Sequence, residues 1–190
     1  MRLQISAIGL LALALLTPYT VHAQQAGATK NAASSAEQNA AGSRQPAQPK
    51  DTLLLTASAN HANVSISLAE FLALPHVNIA VHNAHANADE SYSGVPLAGL
   101  LAKLDAPLGE HWRGKALASY LVASGSDGYS VLLSIAEADP SFHGGEILVA
   151  DTRDGQPLAK SAPFQLIVSE DKRPARWVHN LVSISLQDAR

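Results

Sequence analysis

Arg173, Arg176 and Trp177 fall within five residues of one another near the C-terminal end of the chain. Two guanidinium groups beside an indole suit the binding of a phosphate, carboxylate or other oxyanion, because the Arg fork offers paired N–H donors to such groups. The plainer alternative is a solvated basic loop with Trp177 in the core. Asp127-Gly128-Tyr129 supplies a carboxylate and a phenol suited to the mouth of a pocket. The same three residues also read as a hairpin turn with Gly128 in the left-handed conformation. The expected anion-binding set is therefore Arg173, Arg176, Trp177, Tyr129 and Asp127.

A second group holds His76, His82 and His85 with Asp89 and Glu90. Imidazole and carboxylate ligands suit Zn or Cu. His76 and His82 are six residues apart, which is about 20 Å along an extended strand, so they cannot share one ion. His82 and His85 are closer but have no defined metal spacing. No metal site is expected, and surface histidines are the simpler reading. Asp89-Glu90 reads as a solvated acidic pair in a loop. The chain has no H-E-x-x-H, no C-x-x-C, no Gly-rich phosphate loop and no nucleophile elbow, so no catalytic residue is assigned.

Short elements must position these groups. Thr52 to Ala57 is apolar and β-prone, and a polar turn leads from it to Val64-Ser65-Ile66. Ser67 with Glu70 makes a capping box for a helix that Pro75 ends. His76 to Ala84 alternates as a half-buried strand, with Val77, Ile79 and Val81 on one face. The polar stretch from Asn83 to Ser93 reads as a loop, and Pro96 opens a second helix with a Leu97, Leu100, Leu101, Leu104 face. Leu117 to Ala123 and Ser130 to Ser134 read as a hairpin around the Gly-rich cluster between them. Ile135 to Asp139 reads as a helical turn stopped by Pro140. Glu146 to Asp151, Phe164 to Val168 and Val182 to Leu186 are further strands, the first two separated by the turn signal Thr152 to Pro157. About seven short strands and two or three helices give an α+β class with a mostly β core.

Composition narrows the function. From Asp51 onward the chain has 9 Lys/Arg and 15 Asp/Glu, a balance of 9 − 15 = −6. That excess argues against a nucleic-acid surface and against an anionic lipid surface. Met1 to Ala23 reads as a cleavable signal peptide: Arg2, an apolar run from Ile5 to Leu16, a Thr17-Pro18 breaker, and Val21-His22-Ala23 at the cleavage site. The apolar run is shorter than the roughly 20 residues of a bilayer span. With no Cys in the chain, neither a lipid anchor on Cys nor a disulfide is available. The leader holds one Arg rather than a twin-Arg pair, so Sec-type export to the periplasm or medium is expected. Residues 24–50 hold eight Ala and five Gln with no Leu, Ile, Val or aromatic residue, and are expected to be a disordered linker. Residues 51–190 are expected to form one domain.

Several of these segments resemble, in order, the sulfite-oxidase-like oxidoreductase molybdopterin-binding domain family. The first is Tyr92-Ser93-Gly94-Val95-Pro96-Leu97-x-x-Leu100-Leu101, and the second is Asp127-Gly128-Tyr129. Ile147-Leu148-Val149-Ala150 and Asp154-Gly155-Gln156-Pro157-Leu158 follow. Pro163 to Val168 and Lys172 to Val178 complete the series, which covers most of residues 64–186. The resemblance implies a mixed β-sheet or barrel core with two or three short helices. In the full enzymes of the family a molybdenum pterin is held by a Cys thiolate, with basic residues near the last segment taking the pterin phosphate. The thiolate position falls within Val81 to Ser91, where this chain has His82, His85, Asp89 and Glu90 and no Cys. Gln165 stands where the family often has Arg. Short, single-domain secretory forms without the thiolate look closest.

The expectation is an exported domain of this fold, without molybdenum catalysis and with no cofactor, that binds a small anionic ligand or a protein partner in the groove where the enzymes hold molybdopterin. The alternative is a periplasmic molybdopterin-dependent oxidoreductase with a non-Cys metal ligand.

Overall fold

The alternation of Thr52–Ala57 places Leu53, Leu55 and Ala57 on one buried face, and this segment is the first strand, β1. The computed structural model describes residues 51–106, 108–109 and 113–189, all within the unit Gln45–Arg190. The signal peptide Met1 to Ala23 and the linker 24–50 lie outside the described residues. After β1 come β2 (Asn63–Ser67), α1 (Leu68–Leu72), β3 (Val77–Asn83), β4 (Ala88–Pro96) and α2 (Leu97–Leu101). Then follow β5 (Tyr120–Gly125), β6 (Ser130–Ser134), α3 (Ile135–Ala138), β7 (Ile147–Arg153), β8 (Gln156–Pro157), β9 (Gln165–Val168) and β10 (Leu181–Gln187).

Local chemistry explains the helices. Ser67 accepts from the Glu70 amide and Glu70 bonds back to Ser67, the capping box expected for α1. Ser134 and Glu137 make the same box for α3, and the chain leaves the helical conformation at Asp139, before Pro140.

The strands form two five-stranded sheets. One has the order β2-β1-β10-β5-β6 and is antiparallel except for the β1–β10 pair. The other has the order β3-β4-β7-β8, with β9 also on β7. Leu53, Leu121 and Ile184 from the first sheet and Leu148 and Leu166 from the second share one hydrophobic core with Leu100 of α2. The α+β class and the few short helices are as expected. The barrel alternative is not: the described strands make two open sheets.

Ten strands are present among the described residues, against about seven expected. The main departure is β4. Polarity marked Asn83 to Ser93 as a loop, yet Ala88–Pro96 is flanked on both sides, by β3 and by β7. Its buried positions include Glu90, Tyr92 and Gly94, so no apolar alternation announces it. Leu117 and Ala118 belong to a 3₁₀ turn, Gly114–Ala118, that precedes β5. β4 meets β7 with a register shift at Ser93/Gly94. A Cβ on Gly94 would lie 2.1 Å from the Val149 carbonyl oxygen, so the two backbones approach too closely for any side chain there.

Candidate functional site

An open cleft of about 840 Å³ lies between the β3–β4 hairpin and the segment 173–179. A smaller cavity of about 530 Å³ shares Arg153, Gln165 and His179 with it and adds Lys160 and Ser161.

The hairpin wall is set by Asn83. Its Oδ1 accepts from the backbone amides of His85 and Ala86 at 3.0 and 3.1 Å, which holds the loop in an Asx turn. Its Nδ2 donates to Glu90 Oε2 at 3.0 Å. Because strand residues alternate between faces, Asp89 points to solvent while its neighbour Glu90 points inward and is 8% exposed. The expectation that both are solvated holds only for Asp89. Tyr92 donates its hydroxyl to the same Glu90 Oε2 at 2.7 Å. Arg153 Nη1 reaches Glu90 Oε1 at 3.5 Å. Burial first, and then the Glu90 carboxylate, push the Tyr92 phenol far above its ordinary range, so it stays a donor.

The opposite wall carries most of the residues singled out from sequence. Trp177 is buried, donates Nε1–H to Val168 O at 3.0 Å, and meets Tyr92 edge to face at 5.7 Å. Arg173, Pro174 and Ala175 face the cleft beside it. Arg173 is exposed and has no ion pair among the described residues.

Arg176 does not line the cleft. Its guanidinium is held by Asp171, through Nε and Nη2 at 2.9 and 2.7 Å, and by Glu137 at 2.8 Å. Its hydrogen bonds to Asp171 raise its pKa beyond an already high value, so it is a fixed cation with three N–H donors engaged within the protein. Tyr129 is also outside the lining: its hydroxyl donates to the Ala175 carbonyl and ties the β5–β6 turn to the cleft wall. Asp127 caps that turn by accepting from the Tyr129 amide at 2.9 Å, and Gly128 has φ +85°. Of the five expected residues, then, Arg173 and Trp177 line the cleft while Tyr129, Asp127 and Arg176 support its wall.

The histidines separate. His76 faces the Leu74 carbonyl and the buried Asp151 carboxylate, His82 pairs with Asp89 in solvent, and His85 lines the cleft. Among the described residues no three His, Cys, Asp or Glu side chains converge as a metal site. The segment where the family resemblance places a thiolate is this hairpin. It offers the cleft Asn83, His85 and Glu90, and the chain has no Cys. A molybdenum–thiolate centre does not fit these residues, and no redox step follows from them.

Sequence reasoning missed Asn83, Tyr92, Arg153 and His179 as cleft residues, and connected Glu90 and Gln165 with such a site only through the family resemblance. One signal was available. Gln165 opens an otherwise apolar, fully buried strand, Gln-Leu-Ile-Val, and a lone polar residue in a buried strand usually has a task. His179 shares a short hydrogen bond with Ser161 through Nδ1 and stands at the join of the two cavities.

No protein-family model matches the chain, and no curated protein matches it. Solved structures do. The sulfane dehydrogenase SoxCD from Paracoccus pantotrophus superposes with a TM-score of 0.57 at 14% identity, over 75% of this chain and 40% of that one. The chain thus spans less than half of that neighbour's length. At this identity the likeness shows the fold, which is sulfite-oxidase-like α+β.

Proposed function

We propose that this chain is an exported domain of sulfite-oxidase-like fold that binds a small anionic ligand in the cleft beside Trp177, without molybdenum chemistry. The observation that carries the reading is Arg173: a guanidinium without an ion pair, at the rim of a cleft that also holds Arg153, His85 and His179. In a domain with a balance of −6, two guanidinium groups at one cleft, with only Arg153 paired to an acid, are not the average surface. Their natural complement is an oxyanion, taken by the Arg fork. Export is supported by the Met1 to Ala23 leader, and the single Arg2 suits an unfolded passage in which no folded cofactor travels.

Titration with inorganic phosphate, followed through the Trp177 indole N–H by NMR, tests the binding. Saturable shifts are expected, with affinity falling about 10-fold in Arg173→Gln, as for loss of a charge-assisted bond. Absence of saturable binding would sink the reading. Protein recovered from the periplasm is expected to begin near Gln24; stoichiometric molybdenum in that material would overturn the second half of the proposal.

A further inference from the structure

Two polar side chains deep in the cleft keep hydrogen-bonding capacity that the described protein does not use. Gln165 is 2% exposed and lines both cavities, and its side-chain amide has no partner among the described residues. Glu90 is buried with Oε2 filled by Tyr92 and Asn83, while Oε1 has only the 3.5 Å contact from Arg153. Arg153 is itself half exposed and is shared with Asp154 at 3.9 Å.

Buried polar groups in folded proteins are satisfied, because an unmade bond forfeits the one that water supplied. Something must therefore complete this pair. An amide side chain offers both donor and acceptor, whereas a carboxylate only accepts. A bare oxyanion answers only half of this: it can accept from the Gln165 amide, but it has no N–H to give Glu90, whose charge repels it. The complement is a group with an N–H donor and a carbonyl acceptor side by side. Tyr92 and Trp177 give it a partly apolar backing.

Resting on the anion-binding reading above, we infer that the ligand is an anion that also carries an amide. Its charged end lies at Arg173, and its N–H and C=O face Glu90 Oε1 and Gln165. Gln165 and Glu90 then set specificity, while Arg173 supplies the charge term.

Succinamate and monomethyl succinate test this. They share the four-carbon diacid backbone and the single negative charge, and differ by a carboxamide against a methyl ester. Both are titrated into the purified chain and followed at the Trp177 indole and the Gln165 side-chain amide. Succinamate is expected to bind at least about 10-fold more tightly, the difference made by one bond to a buried charged acceptor. Glu90→Gln, which turns that acceptor oxygen into a donor, is expected to erase the preference, and Arg173→Gln to weaken both probes alike. If the Glu90 variant does not fold, Gln165→Met, which removes the partner of the carbonyl that both probes carry, is expected to weaken both and to leave the preference in place. Equal affinities in the wild type, still dependent on Arg173, would overturn this inference alone and assign Gln165 to ordered water. No binding of either probe or of phosphate would overturn the anion-binding reading and this one with it.

Discussion

Arg176 grips Asp171 with two parallel hydrogen bonds, Nε to Oδ2 at 2.9 Å and Nη2 to Oδ1 at 2.7 Å, and spends Nη1 on Glu137 at 2.8 Å. One of the two arginines expected to bind an anion is thus the clasp of the cleft wall. It joins the 3₁₀ turn Pro174–Arg176, beside Arg173, to the capped start of α3.

Replacing this fork with a point charge separates geometry from charge. Arg176→Lys retains the cation but cannot make the paired bonds. The site is about one-third exposed, so solvent screening lowers the worth of these bonds, and the expected loss is about 1–2 kcal/mol. Urea denaturation measures it. Phosphate affinity should fall as well, through the displaced Arg173. An unchanged midpoint would show that the clasp contributes nothing.

Glu137 makes that clasp pH-sensitive. Burial raises its pKa, but hydrogen bonds from Arg176 and Ser134 outweigh burial and hold the carboxyl below the ordinary 4.5. Burial likewise opposes, and the Ser141 and Gly109 amides outweigh it, at Asp139, which lies below its ordinary 3.8. A depressed folded pKa gives stability that is present above the unfolded value and lost as pH falls through the folded one. Stability from these two groups should hold at pH 5 and above and decline below about 4.5. Glu146, raised by burial alone, works in the opposite direction. Thermal melts from pH 7 to 3 check this: Glu137→Gln should start lower and fall less steeply than the wild type. Parallel curves would refute it.

Much of the framework was legible in sequence because its signals are local. Ser67 with Glu70 marks a helix start whatever surrounds it, and Thr52 to Ala57 alternates as any half-buried strand must. Asp154-Gly155 takes positive φ at both positions, as a two-residue hairpin requires. The cleft was less legible because its residues are brought together by pairing across the sheet. Glu90 and Arg153 are 63 positions apart and meet only when β4 lies on β7. Nor could residue type alone show that Arg176, and not Arg173, is neutralised; that depends on Glu137, 39 positions away.

The same β4–β7 contact yields a stability test. A methyl group at Gly94 would meet Val149 O at 2.1 Å and Ala150 Cα at 2.5 Å, and both are backbone atoms that cannot rotate aside. Gly94→Ala should cost about 3 kcal/mol or more, at or above the upper end for overpacking. It should also perturb the Glu90–Tyr92 wall two and four residues away. A melting temperature within 2–3 °C of the wild type, roughly the shift from 1 kcal/mol or less, would show that the strands separate easily.

β10 lies between β1 and β5, so the last of the described strands is the middle of its sheet. Thr56 and Ser185 hydrogen-bond across 129 positions, which makes this seam one of the longest loop closures the domain can make. Until Leu181–Gln187 emerges from the ribosome, β1 and β5 have bare facing edges and nothing to zip them together. Closure of this kind comes late and slowly. The first sheet therefore stays open until Leu181–Gln187 has been made, and every residue between β5 and β10 is synthesised before that seam can be sealed.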